Sequence, residues 1–283
     1  MSYAFHLPMS PLWKPSANTR GVIQGLAFAG LICTAPIVFA DDAEDLAKKL
    51  SNPVAALISV PFQYNYDHHY GDPETGHRSL MNIQPVVPIS LNADWNVISR
   101  TIIPIIDQNN VVPGSHQTGV GDVLQSLFFS PKAPTASGLI WGLGPAFSLP
   151  TGSDDKLSSR KWGIGPTGVL LRQDGPYTYG MLANHIWGSG GDSDRSNVSS
   201  TFIQPFFSYT TKTAWSFTVN TESSYDWKGK EWSVPVNGMV SKLVKFGDQA
   251  VSIGGGVRYW ADTTDAGPHD LGYRFIVTFL FPK

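Results

Sequence analysis

Leu271-Gly272-Tyr273-Arg274-Phe275-Ile276-Val277-Thr278-Phe279-Leu280-Phe281 carries a large apolar residue at every odd position. A β-strand turns successive side chains to opposite faces, so one face here is a continuous row of Leu, Tyr, Phe and Val. The other face holds Gly272, Arg274, Ile276, Thr278 and Leu280. A bare aromatic row needs apolar surroundings, and lipid supplies them. A closed barrel crossing an outer membrane alternates apolar-out and polar-in along each strand. The alternative, the last strand of a soluble sandwich, does not explain why the same alternation recurs far upstream.

It recurs from Ile58 onward. Ile58, Val60, Phe62, Tyr64 and Tyr66 interleave with Ser59, Pro61, Gln63, Asn65 and Asp67, and 81–91 repeats the pattern. Further candidates are 95–106, 121–130, 139–150, 162–173, 177–187, 198–209, 215–226, 232–243 and 250–260. With the closing strand this predicts about twelve, an even number as single-chain bacterial barrels require. The reading is therefore all-β: a single antiparallel transmembrane β-barrel over 55–283.

The connections alternate in length, as short periplasmic turns and longer outer loops should. Segments 92–94, 174–176 and 210–213 are tight, whereas 67–77, 107–118, 151–161, 188–197 and 261–270 are long and polar. Two break the rule: 228–231 is a short outer connection and 131–137 a longish inner one. Tryptophans fall at strand ends, with Trp95, Trp141 and Trp215 at the inner rim and Trp162, Trp187, Trp227 and Trp232 at the outer rim. That is the position of an interfacial aromatic belt.

Ahead of the barrel, Lys14 and Arg20 precede an apolar run that ends Val38-Phe39-Ala40 before Asp41-Asp42. This reads as a signal peptide over 1–40, cleaved after Ala40. Its run contains Cys33, the single cysteine of the 283 residues, so the mature chain has neither thiol nor disulfide. Residues 41–54 read as a short helical periplasmic tail or plug, with Leu46, Ala47 and Leu50 on one side. Charged residues make up 15% of the chain and the formal net charge is −2, a balance that points away from nucleic acid. Without Lys14 and Arg20 the mature charge becomes −4.

Charges on the polar phase of strands carry the functional reading. Arg100, Asp122, Glu222, Arg258 and Arg274 should face the lumen, because a charge in mid-bilayer costs roughly 2–4 kcal/mol. Gln63, Asn82, Gln84, Asn184, Gln204, Asn220 and Asn237 are the expected polar wall. Opposite charges there form either an ion-pair network that fills the lumen or a constriction that selects solutes. Gly142, Gly144, Ala146, Ser148, Gly254 and Gly256 on the inward phase suggest open room. No cofactor is called for, and no metal: His68, His69, His77, His116 and His269 lie in outer loops without ligand spacing.

The segments Gly121-Asp122-Val123 through Phe128-Phe129-Ser130-Pro131, Gly163-Ile164-Gly165-Pro166, Gln204-Pro205-Phe206, 222–227, Trp232-Ser233-Val234-Pro235 and the closing Phe279-Leu280-Phe281-Pro282-Lys283 resemble a known bacterial family. It is the outer-membrane "transporter" family often mislabelled neuromedin U, related to the outer-membrane barrels of meta-pathway phenol degradation. The resemblance spans essentially all the mature chain. It implies a Gram-negative outer-membrane barrel with a transport role for small, aromatic or hydrophobic solutes, and carries over no site residues. Expected partners are outer-membrane lipid and lipopolysaccharide, and the barrel-assembly machinery through the C-terminal strand. A structural or adhesive barrel is the main alternative. A hydrolase is another, resting on His185 near Ser199 or Ser200 on the outward face, with no orienting carboxylate or amide evident. The expectation is a channel and not an enzyme.

Overall fold

A computed structural model describes residues 38–71 and 74–282. The signal-peptide reading lies almost wholly outside them. The helix-like stretch is α1 (Val38–Leu50). After it come fifteen strand segments among the described residues. They are β1 (Ile58–Tyr70), β2 (Gly76–Ile83), β3 (Val86–Ser90), β4 (Trp95–Asn109), β5 (His116–Val120), β6 (Val123–Pro131), β7 (Leu139–Leu149) and β8 (Lys161–Asp174). The rest are β9 (Tyr177–Gly191), β10 (Ser199–Thr210), β11 (Trp215–Thr221), β12 (Ser223–Asp226), β13 (Glu231–Phe246), β14 (Gln249–Asp262) and β15 (Leu271–Phe281).

Three pairs, β2 with β3, β5 with β6 and β11 with β12, are each one crossing interrupted, which leaves twelve antiparallel crossings. The sheet is closed. β15 pairs with β1 from Ile58↔Phe281 to Tyr66↔Tyr273, so no edge is left where lipid could not satisfy it. β15 is thus the strand that closes the barrel on β1.

Proline explains the interruptions, because it brings no N–H to the ladder. Pro85 separates β2 from β3, and the backbone there turns to Pro61 and Thr101 instead: Gln84 N–H reaches Pro61 O at 2.9 Å and Thr101 N–H reaches Pro85 O at 3.1 Å. Between β5 and β6, residues 121–123 stand against only 103–104 of β4, a bulge beside Pro104. Glu222 sits between β11 and β12 and donates its N–H to Pro235 O at 3.2 Å. Tight inner turns follow the expected chemistry. Gly175, at φ +54°, takes the first central position of the two-residue turn between Asp174 and Tyr177.

The outer loops are shorter than the sequence implies. Residues 67–70, 76–77, 107–109, 116–118 and 188–191 continue the strands, with His68↔His77 and Asn109↔His116 still in register. There the inward face is buried but polar, with Asp67, Gln108 and Gln117, and the outward face carries His68, Asp107 and His116, so the sequence loses the apolar period that marks a strand.

Inside the barrel the inward phase is filled unevenly. Apolar side chains of β4, β6, β8 and β9, namely Ile98, Phe128, Val169, Leu171 and Leu182, form one buried group with Val54. A second group lies at the inner end. There Ala47 of α1 and Leu57 pack on Ala214, Leu243, Ala250 and Leu280, with Leu46 and Leu50 beside them. α1 is thus seated on the barrel wall. The small inward residues do not leave open room as expected. A Cβ on Gly142 would meet Phe128 and Val54 at 3.2 Å, and one on Gly256 would lie 2.1 Å from Gly238 O. These glycines admit close neighbours rather than solvent.

Candidate functional site

The charges predicted for the lumen converge at mid-barrel, with one exception. Arg274 on β15 grips Glu222 with both terminal nitrogens, Nη1 to Oε1 at 2.9 Å and Nη2 to Oε2 at 2.7 Å. Such a fork is the strongest geometry for this ion pair. Its Nε donates to Asn65 Oδ1 at 2.7 Å. Arg258 on β14 lies 3.4 Å from Asp67 Oδ2 and 3.9 Å from Glu222 Oε2, and stacks 4.6 Å over the Trp260 ring. Trp260 Nε1 donates to the other oxygen of Asp67 at 2.9 Å. The cluster ties β1, β14, β15 and the β11–β12 crossing together across the barrel, and Arg274 and Asp67 are buried within it.

Arg100 on β4 lies farther round the same arc. Its Nη2 donates to Gln84 Oε1 at 3.0 Å, and among the described residues no carboxylate comes within 4.0 Å of it. The polar wall is largely as expected: Gln63, Asn82, Gln84, Gln204 and Asn220 border the cavity below the cluster. Asn237 is buried behind it and donates to Asn220 Oδ1 at 2.8 Å. Asn184 is on the inward phase but not at the cavity.

Asp122 is the exception, and a correction. Its carboxylate does not face an arginine but accepts four hydrogen bonds from the outer loop: Gly152 N–H at 3.1 Å, Ser158 Oγ at 2.6 Å, and Ser159 N–H and Oγ at 2.7 Å each. The bulge at Gly121-Asp122 shifts this residue out of the strand's ladder and toward the loop.

Sequence reasoning missed Asp67, Asn65 and Trp260. The signal was present for two of them, since Asn65 and Asp67 continue the inward row Ser59, Pro61, Gln63. Assigning Asp67 to a loop hid it.

A cavity of about 370 Å³ extends from α1 and the following turn up to Glu222, Arg274 and Arg100. Its wall comes from β1 to β4, β10, β11 and β13 to β15, with no contribution from β6 to β9. A smaller space of about 210 Å³ lies on the far side of 49–55, and Lys49, Asn52 and Ala55 border both.

On the outer face, His185 Nδ1 lies 2.7 Å from Thr201 Oγ1 and its Nε2 lies 3.5 Å from Ser199 Oγ. The ring lies tilted against Trp187 with centroids 4.2 Å apart, and Trp227 Nε1 donates to the same Thr201 hydroxyl at 2.8 Å. A hydroxyl therefore stands where a serine hydrolase places a carboxylate or amide to orient its histidine.

No family model matches the sequence. No curated protein matches it either. Among solved structures the chain is similar to an outer membrane channel from Pseudomonas putida F1, at 12% identity and a TM-score of 0.62, over 80% of this chain and 96% of that one. It is also similar to the NanC porin, at 13% identity and a TM-score of 0.50, over 78% and 98%. The outer membrane phospholipase of Salmonella typhi follows at 10% identity and a TM-score of 0.46, over 79% and 91%. At these identities the likeness is one of fold, that of outer-membrane barrels.

Proposed function

We propose that the chain is an outer-membrane channel for small solutes, closed at its inner end by α1 and gated in chemistry by the arginine–glutamate cluster. The observation that carries this reading is the cavity. A purely structural barrel of this girth has no use for an unfilled, hydroxyl- and amide-lined space in contact with a charged cluster. The outer-membrane setting is supported by the apolar residues that stand exposed on the outward phase, among them Phe129, Leu143, Leu170, Phe207, Val219 and Phe275. Such a belt would aggregate in water. The family resemblance in the strand motifs is in keeping with a transport role, and His185 facing a threonine hydroxyl favours a channel over a hydrolase.

The test is planar-bilayer current and solute-driven liposome swelling on two chains, the full protein and one lacking 42–52. Ala47, Leu46 and Leu50 hold the plug by apolar contact, and hydrogen bonds to it are few, such as Gln173 Nε2 to Lys48 O at 2.9 Å. The shortened chain should assemble and conduct several times more than the full one. Equal silence from both would leave the structural barrel as the better reading.

A further inference from the structure

We infer that the cavity is a binding site for a small organic monocarboxylate, with Arg100 as the residue that receives the carboxylate; the inference rests on the channel reading and names its solute class. Four charged side chains border the cavity: Lys49, Arg100, Arg274 and Glu222. Three are cations and one is an acid. Glu222 is already neutralised by the two-point contact with Arg274, and Arg258 above is matched by Asp67. Among the described residues Arg100 has a single hydrogen-bond acceptor, the neutral Gln84, and feels Glu222 only at longer range. A guanidinium presents five donors in a fixed fork, so one amide oxygen leaves most of its hydrogen-bonding capacity unused. The missing partner is an anion with two adjacent acceptor oxygens.

The rest of the wall indicates what that anion is attached to. Val86, Ile102, Phe202, Phe206, Met239 and Ile276 also line the cavity. An inorganic anion would bury none of this surface, whereas an acid with an apolar body would cover it while its carboxylate met the guanidinium. An ammonium on the solute would have no free counter-charge, because the one carboxylate at the cavity, Glu222, is held by Arg274. The volume, near the lower end of the range for small-ligand pockets, fits a compact acid.

The experiment is calorimetric titration of the detergent-solubilised full-length barrel with benzoate, benzamide and benzylammonium, which share a ring and differ in charge. Benzoate should bind at least tenfold more tightly than either of the others. Arg100→Gln should lose roughly tenfold or more of the benzoate affinity, the scale of a charge-assisted two-point contact, and leave benzamide unchanged. Arg100→Lys, which keeps charge without the fork, should fall between. Equal binding of the three probes, no benzoate binding, or full affinity in Arg100→Gln overturns the proposal. If Arg100→Gln does not assemble, the wild-type comparison of the three probes decides alone. Bilayer current on the same samples separates the two readings. Flux without benzoate preference sinks the site and spares the channel, while benzoate binding without flux in the full or plug-deleted chain does the reverse.

Discussion

Across one lumen, the arc from β6 to β9 presents Phe128, Val169, Leu171 and Leu182, and the arc from β10 round to β4 presents Arg274, Glu222, Arg258 and Arg100. The first arc is filled. Phe128 is 0% exposed and Leu171 1%, packed with Ile98 and Val54 as in the core of a soluble domain. The second arc is hollow and polar. A twelve-stranded barrel is wider than the eight-stranded kind that side chains can fill, so packing one arc solid confines the remaining space to the other. Shape is then set by one wall and chemistry by the other.

The comparison breaks most readily at Arg274. Arg274→Ala leaves Glu222 in a low-dielectric site with Arg258, 3.9 Å away, and the more distant Arg100 as its remaining counter-charges. Removing one partner of a buried ion pair typically costs about 3–5 kcal/mol. The heat-modifiable band on gels should then convert to the unfolded position at a clearly lower temperature than wild type. An unchanged midpoint would mean that the hollow arc is wetter than its burial implies, with the pair contributing no more than a surface one.

Phe128→Ala probes the filled arc and should come next in size. Deleting a buried phenyl ring costs about 3–5 kcal/mol where the surroundings cannot collapse. Here the lower end is expected, since the partly buried Ile140 and Phe202 lie against the group and can shift. Phe128 and Arg274 share no partner, so their costs should add to within about 0.5 kcal/mol in the double variant. A large coupling in that cycle would show the two arcs to be one cooperative unit.

Much of this was legible in the sequence, and the failures share a cause. Alternation located the twelve crossings and four of the five cluster candidates, because lipid on one side and a lumen on the other impose period 2. Towards the outer ends both faces turn polar and the apolar period vanishes, so Asp67, although it continues the inward row, was assigned to the loop. The filled arc was not legible either. Phe128, Leu171 and Leu182 are apolar residues on the inward phase, and nothing in a strand's own pattern says whether an inward apolar side chain meets another or meets water. Gly142 and Gly256 misled for the same reason, since a missing side chain looks alike whether space or a neighbour replaces it.

The smallest effect is expected at the outer rim, where the filled arc meets its loop. Asp122 holds 152–159 by accepting from two backbone N–H groups and two serine hydroxyls. Leu157 and Ser153 thereby come down over Gly119, where a Cβ would lie 3.3 Å from Leu157 Cδ1 and 2.0 Å from Ser153 Oγ. Asp122→Asn keeps the size but turns one acceptor oxygen into an NH2 group, which cannot accept from Ser159. One backbone N–H and one hydroxyl lose their partner, at a local cost of about 1–3 kcal/mol. Because the loop lies outside the ladder, that cost should open the loop and leave the wall intact. Trypsin added to intact outer membranes should then cut after Lys156 several times faster than in wild type, with the heat-modifiable midpoint unmoved. A midpoint that falls as it does for Arg274→Ala would place Asp122 in the structural core of the barrel, and an unchanged cutting rate would mean that the serines, not the carboxylate, hold the loop down.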